Sequence, residues 1–271
     1  MRIILSRKGF DSQYGSQASP ILPDGILLSL PIPSDNDYFT YSDIMWNGQN
    51  YLDIIHSLNP RSVINEHSHC HLDPDLRNES IKRKGSWRPA FGQTSSSLTE
   101  LRKYGVSVGD IFLFFGWFKE TEYRNGGIHY KYHARNLHVI YGYMQIGDIV
   151  EKIEAIPEWL QYHPHADIKN YGEAWKRRQN AIFLPSKQLS IAPNLPGCGT
   201  FQYDKRYVLT KDGCSRSRWA LPESMRGVAI SHNPNGWKKD YFQSATRGQE
   251  FVIPDHPTVL EWVKYLFSID F

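Results

Sequence analysis

The chain has 271 residues, 31 Lys and Arg against 28 Asp and Glu, 40% hydrophobic residues and 14% aromatic ones. This composition excludes a disordered polymer, and a formal charge of only +3 excludes a surface built throughout for phosphates, so any nucleic-acid contact is local. Cys70, Cys198 and Cys214 stand far apart with no C-x-x-C pair, which excludes a disulfide framework and fits a reducing cytoplasm.

Ile3-Ile4-Leu5 is too short for a signal peptide and reads as a buried strand running into the polar loop Ser6-Arg7-Lys8-Gly9-Phe10-Asp11. Residues 19–33 hold a Pro23-Asp24-Gly25 turn between apolar segments, the pattern of a loose hairpin. Weak helical patterns cover 41–57 and 97–104, the second stopped by Gly105. Residues 111–118, IFLFFGWF, predict a central strand, and its longest apolar run, Ile111 to Phe115, is too short to span a bilayer. After a tip at Asn125-Gly126-Gly127, LHVIYGYMQIGDI over 137–149 predicts the antiparallel partner. Helix is expected on both sides of His163-Pro164-His165 within 158–178, a strand over 201–210, and a packed helix over 258–267. The expected architecture is one α+β domain over residues 1–271, strand-rich to residue 150 with peripheral helices, soluble and cytoplasmic, with no membrane contact.

HSHCHLDPDL, residues 67–76, places histidine or aspartate at every second position. If extended, His67, His69, His71 and Asp73 leave one face. A rise of about 3.3 Å per residue separates His67 and His71 by roughly 13 Å, so only a neighbouring pair could share an ion. Asp73, His163 or His165 could then complete a shell. The absence of cysteine pairs and an unplaced third ligand weigh against stoichiometric zinc. An acid/base reading uses His71, Asp73 and Asp75, since a carboxylate beside an imidazole fixes its tautomer and raises its basicity. In the third reading the segment is a hydrogen-bonded polar strand whose aspartates cap a turn. The sequence leaves the three open and names no cofactor.

Several segments together resemble the third of the nucleotide-modification-associated domain families, tied to gene systems that modify DNA bases in prokaryotes and phages: SRKGFDSQYG, SPILPDGILLSLPIP, CHLDPDL, GDIFLFFGWF, HVIYGYMQIGDI, HPH and LTKDGCSRSRWALP. The resemblance spans nearly the whole chain. It implies one polar site with Arg7, Lys8 and Asp11 from the first segment, His71, Asp73 and Asp75 from the third, and Ser215, Arg216, Ser217 and Trp219 from the last. Of these, His71, Asp73, Asp75 and Asp11 are the candidate catalytic groups. Arg7, Lys8, Ser215, Arg216, Ser217 and Trp219 are the candidate substrate or phosphate contacts, Arg through its planar fork and Lys as a point charge. Gly15-Ser16 departs from the Gly-Gly pair of the family pattern.

Two functions follow as expectations. The first is an enzyme that modifies a nucleotide or a nucleic-acid base, DNA favoured, acting beside other base-modification proteins. The second is a binding module, because GDIFLFFGWF with LHVIYGYMQIGDI looks like the core of small PUA-like barrels. Such a module would stack a modified base on Trp117, Tyr141 or Tyr143. His71, Asp73 and Asp75 are expected to line one pocket with Arg7, Lys8 and Asp11.

Overall fold

In the computed structural model, which describes residues 1–83 and 85–268, strand outweighs helix, 33% to 21%, and the sheet curls into a half-barrel, as the α+β reading expects. Nine strands form the main sheet: β1 (Ile3–Arg7), β2 (Ser19–Ile21), β3 (Phe91–Thr94), β4 (Ile111–Arg124), β5 (Gly127–Tyr130), β6 (Leu137–Val150), β7 (Asn180–Pro185), β8 (Cys198–Thr200) and β9 (Glu250–Ile253). The path runs β9, β1, β4, β6, β7, β3, with β2 and β5 added to β4 and β8 added to β6. β1 lies parallel to β4, whereas β4 and β6 run antiparallel over their long aromatic stretches.

The long strands form where the sequence is richest in aromatic and β-branched residues, which fit a pleated surface buried on both sides. Phe112 and Phe114 point to one face and pack with Phe91. Phe115 points to the other and meets Trp219. The register of β6 on β4 shifts between Ile140 and Gly142, so Tyr141 is an extra residue in a bulge. Tyr141 packs against Phe114 and Phe118 on the first face. Tyr143 therefore emerges on the opposite face, with its hydroxyl donating to the Pro196 carbonyl and its ring against Phe267.

Among the described residues four α-helices surround the sheet: α1 (Tyr51–Leu58), α2 (Ser95–Lys103), α3 (Ile168–Lys176) and α4 (Pro257–Phe267). The expected helix over 41–57 is shorter, because Met45–Trp46 and Gln49–Asn50 form a small hairpin about Asn47-Gly48, both at positive φ. Asn50 then caps α1 by accepting from the Asp53 N–H. Before α3 the chain makes only single 3-10 turns, Glu158–Leu160 and Pro164–Ala166. The strand expected over 201–210 is a correction: Asp204 accepts from the Arg206 N–H and caps a 3-10 turn over Lys205–Tyr207 instead. Among the described residues no helix is long and apolar enough to cross a membrane.

Three apolar clusters result. The largest fills the main sheet, a second gathers α1 with Phe10, Tyr41, Cys70 and Leu72, and a third joins Ala90, Leu160, Ala166 and Trp175. Leu72 of the second cluster precedes Asp73, and Ala166 of the third follows His165, so the histidine segments meet where these two clusters adjoin.

Candidate active site

β3 is an edge strand, and one side of its backbone needs a partner. The Asp73-Pro74-Asp75 segment supplies it. The Asp75 and Ala90 backbones exchange hydrogen bonds of 2.9 and 3.1 Å, and the Gly92 N–H donates to Asp73 Oδ1 at 2.7 Å. The Asp73 side chain is only 3% exposed. A carboxylate this deeply buried is costly unless positive charge or donors face it.

The Gly92 N–H is one such donor, and three imidazoles surround the group. His163 Nε2 stands 3.1 Å from Asp73 Oδ1, and the Nε2 atoms of His71 and His165 each stand 4.0 Å from Asp73 Oδ2. Burial alone would raise the Asp73 carboxyl, but His163, His165 and His71 outweigh it and hold it well below the usual carboxylate range. Burial pushes the His165 imidazole down to about 3 against the pull of Asp73, so that ring is neutral at ordinary pH.

Each ring is held from behind. His71 Nδ1–H donates to Asp37 Oδ2 at 2.7 Å, and although burial alone would raise the Asp37 carboxyl, this bond, the His71 charge, Ser34 and His165 together lower it. His165 Nδ1–H donates to Asn180 Oδ1 at 2.7 Å, while the Asn180 amide donates back to the His165 carbonyl at 2.9 Å. Tyr171 stacks on His165, ring centres 4.6 Å apart. His163 caps the turn that Pro164 begins, its Nδ1 accepting from the His165 N–H at 3.3 Å. That leaves the His163 proton on Nε2, where its direction misses Asp73 and makes no well-formed hydrogen bond.

Two clefts flank the segment. One, open to solvent, spans about 450 Å³ and is lined by Gly9, Ser29, Tyr51, Asp73, Arg77 and Tyr141, among others. The second, about 350 Å³, has Lys82, Arg83, Trp87, Arg88, Trp159 and His163 in its wall. Asp75 faces this second cleft, but Arg83 grips both its oxygens at 2.7 and 2.6 Å and the Trp87 N–H adds a third bond at 3.0 Å. Its position orders that wall.

The expectation of a single pocket is corrected by strand geometry. Arg7 and Lys8 are adjacent, so their side chains leave opposite faces of the sheet. Lys8 lies on the Phe91 side and pairs with Glu250 Oε1 at 3.0 Å. Arg7 lies over Phe115 and Phe251 and donates to the carbonyls of Ala245 and Thr246. Arg216 joins Arg7 there, stacked 4.1 Å over Trp117 and bonded to Ser12, and burial lowers both guanidinium groups. Asp11 bonds the Gln13 and Tyr14 amides at 2.7 and 2.8 Å, capping its own loop beside these two arginines. Ser215 and Ser217 lie 3.5 Å apart, hydroxyl to hydroxyl, next to Arg216 in the chain. Trp219 is corrected as a substrate contact: it is fully buried and its N–H donates to His138 Nδ1.

His67 is also outside the centre, 87% exposed beside Glu66. The alternation breaks because only His69–Cys70 is strand, paired with Pro33–Ser34. Of the described residues, His71, Asp73 and His165 offer three ligand atoms within 4.8 Å of one another and could hold a metal ion. Sequence reasoning missed Asp37, in a polar Ser-Asp-Asn-Asp loop, and Asn180, at the start of a strand; neither stands in a motif that points to the histidines.

A buried His/Asp centre thus lies between two open clefts of an α+β half-barrel. The chain belongs to the nucleotide modification associated domain 3 family, whose pattern matches residues 2–254, and its general role is therefore in nucleotide modification. No curated protein and no solved structure matches it.

Proposed function

We propose that the chain is a cytoplasmic enzyme that modifies a nucleotide or a nucleic-acid base, DNA before free nucleotide, with the chemistry at His71, Asp73 and His165. The observation that carries this reading is a buried carboxylate ringed by three imidazoles, each oriented from behind and set between two clefts. Arrangements that hold ionisable groups in buried, pre-oriented pairs are found at reacting centres more than in structural cores. In this reading Trp87 and Trp159 offer faces for a base, Arg77, Lys82 and Arg88 take phosphate, and Asp75 fixes the Arg83–Trp87 wall. Arg7, Arg216, Ser215 and Ser217, with Asp11 beside them, form a separate anion-attracting patch on the other face of the sheet, suited to a polymer backbone. Other base-modification proteins would act in sequence with it.

The test is nucleoside mass spectrometry on DNA from cells that carry the gene in its native context, comparing wild type with Asp73→Asn. Asparagine keeps the oxygen that accepts from Gly92 and removes the charge. Loss of a modified nucleoside, or build-up of its precursor, is expected. An unchanged profile, together with a Trp117→Ala variant that no longer binds modified DNA, would replace the enzyme with a PUA-like reading module.

A further inference from the structure

We infer that His71 Nε2, Asp73 Oδ2 and His165 Nε2 form a binding site for one divalent first-row transition-metal ion, an assignment that deepens the proposed function at the same centre.

The argument begins with the protons. The Nδ1 atoms of His71 and His165 both donate to oxygen acceptors, Asp37 and Asn180. In a neutral imidazole the other nitrogen is then an unprotonated acceptor. Two nitrogen lone pairs thus converge on the carboxylate oxygen of Asp73, each at 4.0 Å. Three acceptors directed at one point, at a separation too long for hydrogen bonds, repel one another unless a cation lies between them. Two bonds of about 2.0–2.2 Å at a tetrahedral angle span about 3.3–3.6 Å, so an ion would draw the three ligand atoms in by roughly half an ångström from their 4.0 Å spacing.

The surroundings are those of a metal centre too. An imidazole ligand whose far N–H is held by a carboxylate or amide oxygen is the common supporting pattern, and here both rings have it. His163 is a separate case. Its Nδ1 accepts, so its buried Nε2 carries the proton and, 3.1 Å from Asp73 Oδ1 without a well-formed hydrogen bond, offers the ion no lone pair. The Gly92 N–H occupies the same oxygen, which leaves Oδ2 for the ion. Two histidines and one carboxylate leave further coordination positions open, suited to water or substrate. His71, 14% exposed, gives the ion a way in, whereas Asp73 and His165 are 3% exposed.

No thiol belongs to the set. The donor atoms favour ions that accept imidazole with carboxylate, such as zinc, iron(II), cobalt or manganese, over soft cuprous ion or calcium.

The experiment uses the full chain, stripped with chelator and titrated with Zn²⁺ by calorimetry and with Co²⁺ by visible absorption. One ion per chain is expected. Asp73→Asn should weaken binding at least 100-fold, Asp37→Asn about 10- to 100-fold, and His67→Ala not at all. Less than stoichiometric uptake, or unchanged uptake by a folded Asp73→Asn variant, would overturn the site. If that variant does not fold, X-ray absorption on the wild-type Co²⁺ protein decides: two imidazoles in the first shell support the site, and none overturns it. A chain that takes no metal yet needs Asp73 for its nucleoside product loses this inference and keeps the proposed function. A chain that takes metal but shows no dependence of nucleosides on Asp73 does the reverse.

Discussion

Arg7 and Lys8, neighbours in the chain, stand on opposite faces of the central sheet, the guanidinium carbon 5.3 Å from the Phe251 ring and the ammonium 4.5 Å from the Phe91 ring. The consequence for Lys8 is a pairing with Glu250, whose side chain is fully buried and whose Oε1 also accepts from Ser6 and Gln93. Removing one member of a buried pair leaves the other charge uncompensated. Lys8→Met should therefore cost about 3–5 kcal/mol in urea unfolding. Adding Glu250→Gln should recover part of that loss, and simple additivity of the two changes would show the pair to be uncoupled.

Gly92 sits directly under the His165 ring: a Cβ there would lie 2.2 Å from ring carbons. Gly92→Ala should cost about 1–3 kcal/mol by overpacking and tilt His165 away from Asp73, with loss of activity. Gly172, inside α3, has only an ordinary contact with Ile168 at 3.4 Å. Gly172→Ala should gain about 0.5–1 kcal/mol with activity intact. Thermal melting beside an activity measurement separates the two.

Ser16 holds φ at +55°, a conformation that suits glycine, directly after Gly15 at +84°. Ser16→Gly should stabilise the fold by about 0.5–1 kcal/mol, the backbone relief being partly offset by the greater freedom of glycine in the unfolded chain. An unchanged or lower melting temperature would show that the serine side chain contributes something of equal size.

Burial pushes the His138 imidazole well below its ordinary value of 6.5, helped by the nearby charges of Arg7 and Arg216. The unfolded chain binds a proton there near pH 6.5 and the folded chain does not. Stability should thus be complete above that pH and fall as pH drops below it, by up to about 1.4 kcal/mol per pH unit for this one proton. His165 adds a similar slope, so the comparison is with His138→Asn, whose amide oxygen can still accept from Trp219. The variant should melt with a shallower acid dependence; identical slopes would assign the effect elsewhere.

The strands β1, β4 and β6 and the last helix were legible because period-two and period-3.6 patterns survive where burial decides structure. The aromatic run of β4 continues to Arg124 only because β5 and β2 pair with its polar end, which no local pattern announces. Short strands such as β3 and β9 were missed for the same reason: four residues carry too little periodicity. At the site, His71 and Asp73 were legible from spacing and from the family resemblance. Their assembly with His165, Asp37 and Asn180 was not, since it depends on loop segments far apart in sequence that meet at an edge strand. Lys8 and Arg7 could have been separated from sequence by applying strand alternation beyond Leu5. Trp219 entered the candidate set through the family resemblance of SRSRW, while its own environment is set by the sheet face on which it lands.

The extra residue at Tyr141 makes β6 a parity device. Every side chain after it is displaced by one position relative to the partner strand, so the count of residues, more than their identity, decides which of the sheet's two interiors Tyr143, Met144 and Gln145 enter. Deleting Tyr141 itself would straighten the strand but keep those destinations, because Ile140 and Gly142 already face the neighbouring Phe115 and Phe114; only the ring packed on Phe114 and Phe118 would be lost. The same deletion in the regular ladder on either side would turn every later side chain to the wrong face unless the bulge moved to absorb it. The bulge is thus a place along the strand where a residue can be removed without changing which interior the rest enter.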